Sequence, residues 1–516
     1  MDRAKGLAEV VRSAGSVALF SHIDADGISS AAIAKRALER LEVPHRVQFV
    51  RSLGEEELGL VAKAEEDVVW ICDLGGGYCH RTAGTRAVVT DHHQVFTGGQ
   101  ASLDLFGGMD NVLNPLLFGM NGSTHLSGAG NTYFVARELD PRNRDLAYLA
   151  VVGAVGDMQD RGARRLEGPL HAEVLRDAGE KVEVVPDDLP FFGWVTRSAA
   201  AMLAFSNDLK ALGYMDSIKE VSSLFYQAGV PLRRPGPPAR DGGAQWRSWS
   251  ELSQPERNIM KATLRGRLAE VGLDATALDR MLGEVYLFPE HPLGSPTFEA
   301  KEFATLLNGS GRYILTPTGE GDDERGELIM KVCLNPTVYS ESALRNMDDH
   351  KVHIRDGVAK VRTVVQMRNI QYVLPKRKNS YCLGVNDTIL GIIAGMVLDQ
   401  RKGDGPLDVD PSKPLVALTE RAGSAQGGKD PEVKVSARMD STSRMDTSRP
   451  SGSSVIAVMK PCVPDETFSG ARTRSQSTRT MRSTDDTRKP SVRLLYSVTI
   501  IAPPMPALYA RPATID

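Results

Sequence analysis

The chain has 516 residues, 41% hydrophobic and 25% charged, with a formal net charge of −3. That apolar content can build about two to four domains, and the near-neutral balance excludes a uniformly basic nucleic-acid coat, though not a local basic groove. Five cysteines with no CxxC pair exclude a disulfide framework and a cysteine zinc site. No run reaches the roughly 18 apolar residues of a membrane helix. The N-terminal residues lack a signal-peptide apolar core, so a cytoplasmic location without a membrane partner is expected.

In chain order, residues 16–20 read as a strand, 28–41 as a helix, 46–50 as a second strand and 55–64 as a second helix. Val68–Cys72 and Ala87–Thr90 read as two further buried strands. Residues 130–157 turn helical and close on the apolar run 146–155. Alternating β and α units predict a parallel sheet with helices on both faces. Residues 186–292 read as mostly helical, with a Pro/Gly-rich break at 231–238. Ser253-Gln-Pro-Glu256 fits a capping box opening a helix, and Trp246 and Trp249 ahead of it read as core. A second α/β stretch begins near 295, with a helix over 301–307, a hairpin loop over 316–327, and strands over 328–334, 415–418 and 433–438.

After Arg438 the composition shifts. Residues 439–516 hold 12 Ser, 10 Thr and 9 Arg but one Glu, two Gly and no His. No apolar period is evident across 439–490. Two readings fit: a disordered Ser/Thr/Arg-rich tail, or the product of a shifted reading frame.

The informative feature is where acidic residues fall relative to apolar runs. His22-Ile-Asp24-Ala-Asp26-Gly follows the first strand, Asp73 follows the third, Asp91-His92-His93 follows the fourth, and Asp157 ends the run 146–155. Taken singly, an Asp-x-Asp-Gly is an ordinary turn. Together they form a set, because ligands of open parallel sheets bind at the carboxyl ends of the strands. Several carboxylates gathered there need cations beside them. A mixed Asp/His set suits Mn²⁺ or Mg²⁺, manganese being the more tolerant of imidazole. Two such ions about 3.5–4 Å apart are a known device for in-line phosphoester displacement.

The order His-x-Asp-x-Asp-Gly, strand-Asp, Asp-His-His, Gly-Asp resembles the DHH phosphoesterase superfamily, and within it the RecJ-like single-strand exonucleases of archaeal type. Leu113-Asn-Pro-Leu-Leu-Phe-Gly119, Leu126-Ser-Gly-Ala-Gly130, residues 152–160, residues 300–308 and Val433–Arg438 carry the likeness further, over about residues 10–438. It implies an α/β fold: a parallel-sheet DHH catalytic domain over 1–185, a mostly helical middle segment over 186–294, and a second, smaller α/β substrate-binding domain over 295–438. The segment 439–516 stands apart.

The resemblance also implies roles. Asp24, Asp26, Asp73, His92 and Asp157 match metal-ligand positions, with Asp73 as the bridge. His22 stands where relatives carry a histidine or an acid. His93 matches the histidine that meets the scissile phosphate, Asp91 orients the histidine pair, and Asp160 either supports the ligands from behind or ends a helix. Arg438 matches a contact to backbone phosphate. Two divalent cations, Mn²⁺ foremost, and single-stranded DNA or RNA are the implied cofactor and substrate. Replication or repair proteins are the implied partners. The same metal pair also serves short oligonucleotides or cyclic dinucleotides, and some relatives with decayed sites act as replisome scaffolds. One departure stands out: the family's Gly-Gly-Gly-His phosphate loop after the last of these strands is missing here.

Overall fold

A computed structural model of the chain describes residues 1–82, 86–95, 109–206, 208–209, 217–234, 246–270, 272–274, 276–315, 323–376, 380, 382–398, 407–410, 412–420, 433–438 and, as backbone, 455–459. Two compact units divide it: residues 1–316 with 320–350, and residues 351–516 with 317–319.

The first unit opens with α1 (Asp2–Arg12), β1 (Val17–His22), α2 (Ala25–Arg40), β2 (His45–Val50), α3 (Glu55–Ala62), β3 (Val68–Cys72), α4 (Cys79–Thr82), β4 (Ala87–Thr90) and β5 (Val112–Leu113). The five strands form a sheet in the order β2-β1-β3-β4-β5, with every pairing parallel. Strand periodicity explains why both faces are covered. Leu19, Trp70 and Val88 enter one core while their neighbours Phe20, Ile71 and Val89 enter another.

On the first face lie α2, α5 (Gly128–Leu139) and α6 (Ala147–Gly156). Small side chains on α2 (Ala31, Ala32, Ala34, Ala37) are fully buried and let neighbouring helices approach closely. In α6 every residue from Ala147 to Val155 is buried. Each of its large aliphatic side chains contributes about 1.5–3 kcal/mol by leaving water. The helix expected from residue 28 starts at Ala25, because Asp24 caps it by accepting from the Gly27 amide at 3.0 Å.

After α7 (Pro169–Ala178), whose Val174 and Ala178 join the first core, the middle segment holds β6 (Glu183–Asp188), α8 (Ala199–Ala204), α9 (Ile218–Gln227), α10 (Gln254–Glu270) and β7 (Gly283–Leu287). It has its own core around Trp194, Phe225, Trp249 and Leu264. The capping box forms at α10, with the Ser253 amide donating to Glu256 at 2.7 Å. Trp249 is core, its Nε1 donating to Asp188 at 3.0 Å. Trp246 departs from the core reading: it pairs by an isolated bridge with Arg233 and stands exposed beneath that guanidinium.

α11 (Ala300–Gly311), α12 (Asp323–Leu334) and α13 (Pro336–Ala359) follow. The strand expected over 328–334 is thus the second half of a helix. Its apolar run satisfies either period, and Ile329, Met330, Val332 and Cys333 pack into the first unit's core. Of the expected hairpin loop, residues 316–322 lie outside the described residues and 323–327 open α12. Residues 295–350 therefore belong to the first unit, not to the second domain expected from 295.

The second unit contains β8 (Val361–Gln366), β9 (Gln371–Pro375), α14 (Leu390–Leu398), β10 (Leu415–Glu420), β11 (Val433–Arg438) and β12 (Val455–Met459). Their sheet runs β12-β11-β10-β9-β8. It is antiparallel except between β9 and β10. β12 corrects the reading of the tail: Val-Ile-Ala-Val-Met is a short β-type run, and its backbone pairs with β11. The rest of 439–516 lies outside the described residues. Among the described residues no helix is long and apolar enough to cross a membrane.

Candidate metal centre

Three strand ends and two helix ends deliver the cluster. His22 closes β1, and Asp24 and Asp26 occupy the N-cap and first turn of α2. Asp73 follows β3 with its amide donating to the Thr90 carbonyl at 2.8 Å. Its φ is 58°, a left-handed conformation that costs a non-glycine residue roughly 1–2 kcal/mol. Asp91, His92 and His93 follow β4, and Asp157 caps the C-terminus of α6.

Asp73 lies between two groups. Its Oδ2 is 3.5 Å from His22 Nδ1, which is itself 2.8 Å from Asp24 Oδ2. Its Oδ1 is 3.3 Å from His92 Nε2, which also faces Asp157 at 2.8 Å and Asp26 at 3.6 Å. Ligand-type atoms of His22, Asp24 and Asp73 therefore converge on one side, and those of Asp26, His92 and Asp157 on the other. Both Asp73 oxygens and His92 Nε2 are buried without an aligned hydrogen bond. Such orphaned atoms fit a divalent cation, which takes oxygen and imidazole donors together.

Other atoms of these side chains are held by the protein. Asp26 accepts from the amides of Gly128 at 2.6 Å and Ala129 at 2.9 Å, at the start of α5. His92 Nδ1 donates to the Gly122 carbonyl at 2.7 Å, so only Nε2 faces the carboxylates. The same carbonyl accepts from Gln159 Nε2 at 2.9 Å. Asp91 is fully engaged: Oδ2 accepts from the Gly76 amide at 2.6 Å, and Oδ1 from His92 N and His93 N. Its Oδ1 also meets His93 Nδ1 at 2.8 Å. The half-exposed His93 ring is thus tied at one nitrogen, leaving Nε2 for an incoming group.

The charges are mutually dependent. Burial opposes protonation of His22 and His92, yet Asp24 and Asp73 for the first, and Asp157 and Asp73 for the second, hold both pKa values well above the ordinary imidazole value. Burial, with Asp73 and Asp157 beside it, pushes Asp26 well up. Burial also raises Asp157, against the pull of His92. Asp73 is lowered despite its burial because His22 and His92 face it. Asp91 is lowered despite burial by His93, and His93 is raised despite burial by Asp91. In the metal-free cluster, imidazolium supplies the positive charge that a cation would bring.

Eight of the nine candidates from the first unit thus meet in one place. Arg438 lies in the second unit at the end of β11, its Nε donating to the Gly391 carbonyl at 3.0 Å. Asp160 is buried 3.3 Å from Lys301 Nζ. Sequence reasoning missed Gly122, Gln159 and the Gly128–Ala129 amides. The Ser-Gly-Ala-Gly stretch and the Gln beside Asp157 are their only local signals. It also missed Asn308, whose Oδ1 accepts from the Ala25 amide at 2.9 Å and secures the start of α2.

No protein-family model matches the chain. An uncharacterised protein of Methanocaldococcus jannaschii is 31% identical over 157 residues, 29% of this chain and 35% of that protein. The match thus spans about a third of that relative's length. Among solved structures, CDC45 from Entamoeba histolytica is similar with a TM-score of 0.50 at 11% identity, over 82% of this chain and 84% of that one. A manganese-bound exonuclease RecJ is similar with a TM-score of 0.41 at 14% identity, over 85% of this chain and 81% of that one. The chain shares its overall α/β fold with CDC45 from Entamoeba histolytica.

Proposed function

We propose that the chain is a divalent-cation-dependent phosphodiesterase that shortens single-stranded nucleic acid from an end. The observation that carries this reading is the placement of Asp73, with one carboxylate oxygen toward His22 and the other toward His92. His22, Asp24 and Asp73 would hold one ion, and Asp26, His92 and Asp157 the other, with Asp73 shared. When bound, such a pair supplies Lewis-acid charge to an attacking water and to the phosphate. Manganese is the favoured ion because two imidazoles join the carboxylates, and magnesium is the second choice.

The chain's own residues do the rest. Asp91 fixes the His93 ring through Nδ1 and favours its protonated form, so that Nε2 holds a proton for a phosphate oxygen near neutral pH. The Gly122 carbonyl fixes His92 so that Nε2 faces the carboxylates. In the second unit Arg438 is assigned a contact to backbone phosphate, where a guanidinium fork suits the oxygens. End-directed cleavage of DNA or RNA, a cytoplasmic location and association with replication or repair proteins belong to the same reading, on the strength of the family resemblance. Hydrolysis of dinucleotides alone is the alternative within the same chemistry. A pure scaffold is disfavoured by the complete set Asp24, Asp26, Asp73, His92, His93 and Asp157.

Calorimetric titration with Mn²⁺ tests the metal assignment. Two ions per chain are expected, with Asp73→Ala weakening both. One ion, or unchanged binding in the variant, contradicts a shared carboxylate.

A further inference from the structure

The turn after Asp157 carries side chains of two kinds. Gln159 and Asp160 point inward: the first donates to the Gly122 carbonyl at 2.9 Å, and the second lies 3.3 Å from Lys301 Nζ. Met158 and Arg161 are displayed outward, Met158 at 60% exposure. The turn is therefore pinned from within while it presents two side chains to solvent.

Met158 also takes a φ of 58°. After a helix C-terminus that conformation ordinarily belongs to glycine, so methionine sits there at the expense of backbone strain. It places an unbranched, polarizable thioether in solvent, one residue from the carboxylate that faces His92 at 2.8 Å. Arg161 Nη1 stands 3.8 Å from Met158 Sδ. A thioether favours the face or edge of a planar π system, and a guanidinium beside it favours an anion. One ligand that offers both at that spacing is a nucleobase with its adjoining phosphate.

We infer that Met158 and Arg161 form a subsite for the terminal nucleotide of a single strand, its base resting on Met158 and its phosphate meeting Arg161. The subsite deepens the phosphodiesterase reading and rests on it for the class of ligand, but binding rather than cleavage tests it. The probes are fluorescent single strands with phosphorothioate linkages, natural-ended or carrying an abasic residue at one end, added to the full chain with Mn²⁺. The natural end is expected to bind about threefold to tenfold more tightly than the abasic one. Met158→Gly, which relieves the left-handed strain, erases that ratio, and Met158→Leu keeps part of it. Arg161→Ala weakens both strands alike and lowers the salt slope by about one. A wild-type ratio of one at both ends, no binding of either strand, or a ratio that survives Met158→Gly overturns the subsite. A preserved ratio without hydrolysis of unprotected strands would instead remove the phosphodiesterase reading and leave the subsite standing.

Discussion

Asp73 concentrates the account at the scale of single residues. It is fully buried, strained in its backbone and placed between two imidazoles, so its removal leaves His22 and His92 without a common partner. Gln159 works at one remove, sharing the Gly122 carbonyl with His92 Nδ1. Gln159→Leu is predicted to weaken Mn²⁺ affinity about tenfold or more, as losses of supporting hydrogen bonds at metal sites do, while the circular dichroism spectrum stays that of the wild type. Unchanged affinity would remove Gln159 from the site. The histidines add a pH dependence. His22 and His92 have raised pKa values in the metal-free protein, so the stability they contribute is complete below the unfolded imidazole value and is lost as pH rises through the raised values. The buried, raised Asp26 acts in the same sense, while Asp73 and Asp91 are lowered and stay ionised throughout that range. The melting temperature of the metal-free protein should therefore fall as pH rises above the ordinary imidazole value, and the increment from Mn²⁺ should grow over the same rise. An increment that shrinks with pH would contradict the proton–metal exchange.

Elements hold these residues by close backbone approach. A Cβ at Gly128, the first residue of α5, would lie 2.7 Å from the Asp73 Cβ and 2.8 Å from its Cα. Gly128→Ala is predicted to destabilise the fold by about 1–3 kcal/mol and to weaken Mn²⁺ binding as Asp73 is displaced. Thermal melts with and without the ion check both, and a wild-type melt would show the approach to be looser. The same scale shows what a sequence can disclose. The strand-end acids and the Asp-His-His were legible because buried parallel strands read as apolar runs and ligands gather at their carboxyl ends. The 328–334 run was misread because an unbroken apolar stretch fits a buried helix as well as a strand. Gly122 was not legible, and the Gly128–Ala129 amides left only the Ser-Gly-Ala-Gly stretch as a trace, since backbone donors and acceptors have no side-chain signature and act through tertiary placement.

At the scale of the whole molecule, every candidate ligand and every group that orients it lies within residues 1–350, which share their core with α11, α12 and the start of α13. The boundary expected near 295 failed because helices 300–311 and 323–334 look autonomous in sequence yet bury their apolar faces in the first unit. A fragment of residues 1–350 is predicted to melt cooperatively and to gain stability from Mn²⁺ as the full chain does; a fragment indifferent to the ion would place part of the site elsewhere. The composition shift after Arg438 falls inside the second unit, where the sheet nevertheless continues into β12. A Gly-Gly-Gly-His stretch in an alternative frame of the coding DNA would establish a shifted frame, and its absence from both would exclude one. The central claim, a metal-dependent phosphodiesterase acting on strand ends, is tested most directly by incubating the full chain with end-labelled single-stranded DNA and RNA, with and without Mn²⁺, and with Asp73→Ala as the blank. The account predicts a ladder shortening from one end that requires the ion and is lost in the variant. A folded, manganese-loaded chain that leaves both strands intact, or a ladder that persists in Asp73→Ala, would contradict it.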